Sequence, residues 1–310
     1  MARLDPEMID ALNGEPTRRP LIGIALLPSA ATLGNMLSGV LAILCCMMSM
    51  RIPYFESNVL PRYPHLSALF PSYVAIGAYL LVLAMIFDAL DGRLARLARR
   101  TSEFGAQLDS IADIVSFGVA PTLLFLAMLI RPAIVPDAPP ISTLQWRMSL
   151  LCALVYVSCA AIRLARYNAE NVKDESGQKR FSGLPSPAAA GAFAALLLLH
   201  EDLIQPPGTI AMGIDWANAA RWTIAPVIFG LGMLMVSRLN YVHVVNRYLK
   251  RDQPLFYLIG LVILAVLLWL YPQIMLVIVA YAYVFSGIFA SIKREPPGAN
   301  GDDPGGDEPA

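Results

Sequence analysis

Long apolar runs, nearly free of charge, limit what this chain can fold into more than any other feature. Crossing the hydrocarbon of a bilayer takes roughly 20 predominantly apolar residues, range 17 to 25. Eight stretches of the 310-residue sequence qualify, at about 29–50, 71–94, 106–130, 146–168, 184–200, 221–237, 255–271 and 273–291. The expected fold is all-α, a polytopic membrane helix bundle of about eight transmembrane helices. Little more than "YPQ" separates the last two, and Pro272 predicts a tight helical hairpin there. Composition agrees. Hydrophobic residues make up 57% and charged residues 15%, where a soluble domain carries about 25% charged.

Lys and Arg in short loops set the orientation of such a bundle. With a cytoplasmic N-terminus, 18 of the 23 basic residues fall on the inside segments and 5 outside. The expectation is an integral protein of the inner (cytoplasmic) membrane, with both termini and the stretch 88–105 facing the cytoplasm. The net charge is zero, which gives no support for a nucleic-acid partner. Cys45, Cys46, Cys152 and Cys159 lie in apolar runs and read as small buried hydrophobes. His65, His200 and His243 are scattered in predicted loops, and none reads as a ligand. The N-terminus carries acids and a Pro before any apolar core, unlike a signal peptide. The tail "REPPGANGDDPGGDEPA" has the composition of a disordered segment.

Against this background, "FDALDGRLARLARRTSEFGAQLDSIADIVSFG" (residues 87–118) stands out. Pro71–Phe87 and Ile114–Ile130 are uncharged runs of 17 residues each, so Asp88, Asp91, Asp109 and Asp113 fall at the inner edge of the hydrocarbon. If the segment forms an antiparallel hairpin turning near residues 100 and 101, Asp91 lies level with Asp109 and Asp88 with Asp113. Spacings of i, i+3 and i, i+4 put each helix's pair on one face. Four carboxylates then converge on one small volume. An Asp at mid-span costs about 2.5–3.5 kcal/mol, less near the edge, and mutual repulsion adds to that. Bound cations remove both penalties, and an all-oxygen site suits Mg2+, Mn2+ or Ca2+ rather than zinc. Gly92 and Gly105 leave the backbone open to a ligand, and Arg96 lies one turn beyond Gly92, placed to pair with a phosphate. The pattern describes a pocket for a diphosphate. Arg93, Arg99 and Arg100 read as interfacial anchors.

The same residues, D-x2-D-G-x2-A-R-x8-G-x3-D-x3-D, resemble the motif of the CDP-alcohol phosphatidyltransferase family at every defining position: Asp88, Asp91, Gly92, Ala95, Arg96, Gly105, Asp109 and Asp113. The resemblance implies attack by an alcohol hydroxyl on the lipid-side phosphorus of a CDP-linked lipid, with CMP leaving. It implies that the four aspartates hold two divalent ions, Mg2+ or Mn2+, and that Asp113 also serves as general base. Gly92, Ala95 and Gly105 would line the cytidine site and Arg96 would hold the diphosphate. It also implies a homodimer.

Two further stretches, "RLARYNAENVKDESGQKRFSGLPSPAAAG" (163–191) and "GAQLDSIADIVSFGVAPT" (105–122), are similar to the phosphatidylserine synthase branch. A weaker likeness lies in "LPSAATLGNMLSG" (27–39). For that branch the substrates are CDP-diacylglycerol and L-serine. Arg163 or Arg166, with Asn168 or Arg180 nearby, is the candidate grip on the serine carboxylate; each arginine equally reads as a topology anchor. Asn35 either touches the nucleotide or bonds a neighbouring helix. "SPAAAGAFAA" reads as a close helix-packing surface. The domain expectation is a cytoplasmic segment 1–28, a catalytic unit 29–240, a transmembrane hairpin 241–293 and a tail 294–310. Two alternatives stay open at this stage. One is a sister enzyme using glycerol 3-phosphate, inositol phosphate or choline. The other is a cation transporter, which the sealed outer halves of both helices disfavour.

Overall fold

The computed structural model describes residues 22–51, 70–98, 103–130, 141–173, 183–204, 216–239, 241 and 254–292. All regular structure among them is helical: α1 Ile22–Arg51, α2 Tyr73–Ala98, α3 Glu103–Asp113, a π-helical segment Ile114–Val119, α4 Ala120–Ile130, α5 Thr143–Lys173, α6 Ser186–Ile204, α7 Trp216–Val236, α8 Pro254–Leu270 and α9 Pro272–Ile292. Helices are what hydrocarbon demands, since each satisfies its own backbone polar groups. Each of the eight expected spans is helical. Among the described residues five helices are long and apolar enough to cross a bilayer, and Trp222–Val236 is a shorter apolar one.

Lipid tails are as apolar as leucine, so the helices are held by close packing rather than by expulsion from water. Small residues permit that closeness. On α6 the run "SPAAAGAFAA" buries Ala189, Ala190, Ala192, Ala194 and Ala195, as its composition predicts. On α1 a methyl group at Gly39 would come within 2.4 Å of the Ser116 Oγ and 2.8 Å of its Cα, so the helix backbone lies directly against the π-helical segment. The centre is filled by Leu81, Leu124, Phe125, Tyr156, Phe193 and Ile228, all fully buried. Phe125 and Phe193 meet edge to face at 6.3 Å, the favoured aromatic geometry. The outward faces remain apolar. Leu37, Leu41, Leu44 and Met47 on α1, and Val262, Val266 and Trp269 on α8, are exposed, as a lipid-facing surface requires.

At the end of the bundle away from the aspartates, a buried polar clasp joins α2 to α6. The Ser72 hydroxyl donates to the Glu201 carboxylate, and the same oxygen accepts the Ala75 N–H at 3.1 Å, capping the first turn of α2. His200 lies 3.3 Å from the other Glu201 oxygen.

Three expectations need correction. α1 begins at Ile22, within the expected N-terminal segment 1–28, and carries Pro28 inside the helix. His200 sits on α6 rather than in a loop. The expected C-terminal hairpin is a bend. Only Tyr271 separates α8 from α9, whereas an antiparallel helical hairpin uses a loop of about 2–5 residues. The Tyr271 N–H donates to Leu267 at 2.8 Å, and its carbonyl accepts from Met275 at 3.0 Å. Helical bonding therefore runs up to Tyr271 from both sides, and Pro272, tolerated at the first position of a helix, sets the bend. Residues 1–21, His65, Arg180, His243 and the tail 294–310 lie outside the described residues.

Candidate active site

α2 and α3 form the two sides of the acidic site. Asp88, Asp91 and Asp109 each present a carboxylate oxygen within 4.8 Å of the other two. The helical spacing brings Asp88 and Asp91 to one face, and the reversal of chain direction between Ala98 and Glu103 brings Asp109 opposite them. Asp113 is not one of that trio. It accepts a hydrogen bond from the Asn35 Nδ2 on α1 at 3.1 Å, although its charge still acts on Asp88, Asp109 and Asp91. Three carboxylates thus share one ion-sized gap, and the fourth is drawn toward α1 by an amide.

Asn35 is itself fixed from behind. Its side chain is fully buried, and its backbone carbonyl accepts the Ser116 hydroxyl at 2.9 Å. Ser116 belongs to the π-helical segment that starts one residue after Asp113. A π turn inserts an extra residue and weakens the regular ladder. The Tyr156 hydroxyl, from α5, donates to the Phe117 carbonyl at 3.0 Å and helps secure the segment. Thr32, one turn before Asn35, donates to the Pro28 carbonyl at 3.1 Å and lies beside Asp91.

The opposite wall comes from α5. One Arg163 terminal nitrogen donates to the Ser186 hydroxyl at 2.9 Å, and its guanidinium lies within electrostatic range of Asp113 and Asp88. Its Nε is buried with no hydrogen-bond partner among the described residues. Arg166 is committed elsewhere and donates to the Val236 carbonyl at the end of α7, at 3.3 Å. Asn168 donates to Ser110 at 2.9 Å, which ties α5 to α3 beside Asp109. A backbone join supports this end. Gly183, at φ +90°, donates to the Leu239 carbonyl at 2.8 Å, and Leu184 donates to Leu234 at 3.0 Å. A methyl group at Gly183 would meet the Met235 carbonyl at 2.3 Å, so position and backbone conformation both require glycine.

Gly92 borders open space, with no atom within 4 Å of where a Cβ would stand. Ala95 and Arg96 continue α2 beyond it, and Gly105 lies in the first turn of α3. Sequence reasoning did not single out Thr32, Ser116 or Ser186. Each is a small hydroxyl inside an apolar run, a signal no stronger than that of an ordinary helix-packing serine or threonine.

The donor set tests well against a hard divalent cation. All the converging groups are carboxylate oxygens, the type Mg2+, Mn2+ and Ca2+ take. Asp91 Oδ2 and Asp109 Oδ1 are buried without a hydrogen-bond partner among the described residues, and a buried unsatisfied polar atom is costly. A cation in the gap would satisfy both.

Fold and site together define an all-helical integral membrane protein that gathers acidic side chains at one end of its bundle, beside a buried arginine. The sequence profile of the CDP-alcohol phosphatidyltransferase family matches residues 25–224, and the chain belongs to that family. Among similar proteins, one of Mycobacterium tuberculosis named CDP-diacylglycerol–serine O-phosphatidyltransferase is 28% identical over 274 residues, covering 86% of this chain and 79% of its own length. Proteins of the same name from Helicobacter pylori and Saccharomyces cerevisiae are 32% identical over 166 residues and 39% over 122. The first covers 54% of this chain and 60% of its own length, the second 38% and 39%.

Proposed function

We propose that this chain transfers the phosphatidyl group of CDP-diacylglycerol to L-serine, giving phosphatidylserine and CMP. The observation that carries the reading is the carboxylate trio with Asp113 beside it and Arg163 opposite, in a chain whose relatives bear the name of that reaction. The serine hydroxyl oxygen bonds to the lipid-side phosphorus. The bond from that phosphorus to the bridging oxygen breaks, and CMP leaves with the electron pair. Asp113 takes the hydroxyl proton on the oxygen that Asn35 does not hold. Asp88, Asp91, Asp109 and Asp113 hold two Mg2+ or Mn2+ ions, which when bound neutralise the diphosphate and stabilise charge on the departing phosphate.

Gly92, Ala95 and Gly105 border the cytidine, and Arg96 pairs with the diphosphate. Of the named serine-binding candidates, Arg163 is favoured, because its Nε is buried and uncommitted whereas Arg166 and Asn168 are engaged. The site opens to the cytoplasm, in line with the distribution of basic residues. Residues 29–240 form the catalytic unit, and 241–293 carry the last pair of helices. The protein works as a homodimer.

The test offers the purified full chain CDP-diacylglycerol with L-serine, glycerol 3-phosphate, inositol phosphate or choline, and measures CMP. Release is expected with L-serine alone, and only when Mg2+ or Mn2+ is supplied after chelation. Faster release with another alcohol, or undiminished turnover in excess chelator, overturns the reading.

A further inference from the structure

The last helix reaches the acceptor side of the site. Tyr283, on α9, lies within electrostatic range of the Arg163 guanidinium. Its placement is not incidental to the packing. The ring of Tyr241, which follows α7, lies 5.7 Å from the Tyr283 ring at a 37° tilt. The Tyr241 hydroxyl donates to the Val284 carbonyl at 3.2 Å. A methyl group at Gly287, one turn on, would sit 2.2 Å from the Tyr241 ring. α9 is therefore fixed in position and rotation against the segment after α7, and that segment carries the backbone join to Gly183 and Leu184 just before Ser186. Ser186 is the partner of Arg163. Helices α5, α6 and α9 converge on one guanidinium.

Two donors then face the same small region. One is the buried, uncommitted Nε–H of Arg163. The other is the Tyr283 phenol, a donor and acceptor at neutral pH. A carboxylate accepts two such bonds at once, and serine is an acceptor alcohol that carries one. Resting on the assignment of Arg163 to the acceptor, we infer that Tyr283 is a specificity residue: its hydroxyl and the Arg163 Nε–H together seat the acceptor's carboxylate. The last helix is thereby a wall of the substrate site as well as a membrane anchor.

The experiment uses the full-length protein and follows initial CMP release, with L-serine varied at saturating CDP-diacylglycerol. Tyr283→Phe keeps the ring and its packing on Tyr241 and deletes only the hydroxyl. A hydrogen bond to a charged group is worth enough to raise KM for L-serine about tenfold or more. KM for CDP-diacylglycerol and the melting temperature should stay at wild-type values. Tyr281→Phe, on the same helix, is the control. Its hydroxyl is buried without a partner, and its loss should leave every kinetic constant alone. L-Serinamide, which lacks the carboxylate, should react equally poorly with wild type and Tyr283→Phe. If Tyr283→Phe leaves KM for L-serine unchanged while Arg163→Lys raises it, the inference about Tyr283 is overturned and the acceptor assignment stands. If Arg163→Lys also leaves KM for L-serine unchanged, the assignment itself fails.

Discussion

Asn35→Ala isolates the link between α1 and the proposed base. The native bond runs 3.1 Å from the Asn35 Nδ2 to an Asp113 carboxylate oxygen, and hydrogen bonds to charged groups contribute about 1.5–3 kcal/mol. If that energy serves to hold Asp113 in its reactive pose, kcat/KM should fall roughly 10- to 150-fold. Stability should change far less. Asn35 Oδ1 is buried without a partner, so truncation removes an unsatisfied acceptor along with the bond, and the two effects oppose each other. The assay is CMP release together with thermal unfolding, run on Asn35→Ala, Asp113→Ala and the double variant. Groups that act as one unit are strongly non-additive, so the double variant should be no slower than Asp113→Ala alone. Should Asn35→Ala keep kcat/KM within about twofold of wild type, the positioning argument is wrong. A rise confined to KM for CDP-diacylglycerol, additive with Asp113→Ala, would instead point to contact with the nucleotide.

Two further perturbations address the acidic gap and the helix contact behind it. Asp109→Asn should abolish turnover in a protein that still folds, as judged by its melting transition; near-normal CMP release in excess Mn2+ would count against the site. Gly39→Ala forces a methyl group into the Ser116 backbone and should cost about 1–3 kcal/mol of stability, in the range of overpacked cores. It should also lower activity by pushing Asn35 off Asp113, which thermal unfolding and CMP release measured together would reveal.

The acidic site was legible because its geometry is local. Spacings of three and four residues fix which side chains share a helix face, and one reversal of direction brings the two faces together. What escaped the sequence depends on tertiary paths. Asn35 and Asp113 are 78 residues apart, so a polar residue in an apolar run could be read only as one of two possibilities. Tyr283 gave no sign of its neighbour, because nothing in α9 encodes the position of α5. The C-terminal hairpin was misread because proline was taken to end one helix and turn the chain, whereas at the first position of a helix it is compatible with a single-residue join. The wide turn after Asp113 also left no sequence signal; "IVSFGV" looks like any apolar helical segment.

That wide turn matters for how the third span can vary. One surplus residue advances the helical screw by about 100°. The half carrying Asp109 and Asp113 is therefore clocked independently of α4, the half embedded against Phe193. Deleting any one residue between Ile114 and Val119 would restore a regular screw and swing the two acidic side chains about a quarter-turn away from α2. The span thus behaves as two rods with a fixed phase offset, and its length is as constrained as its chemistry.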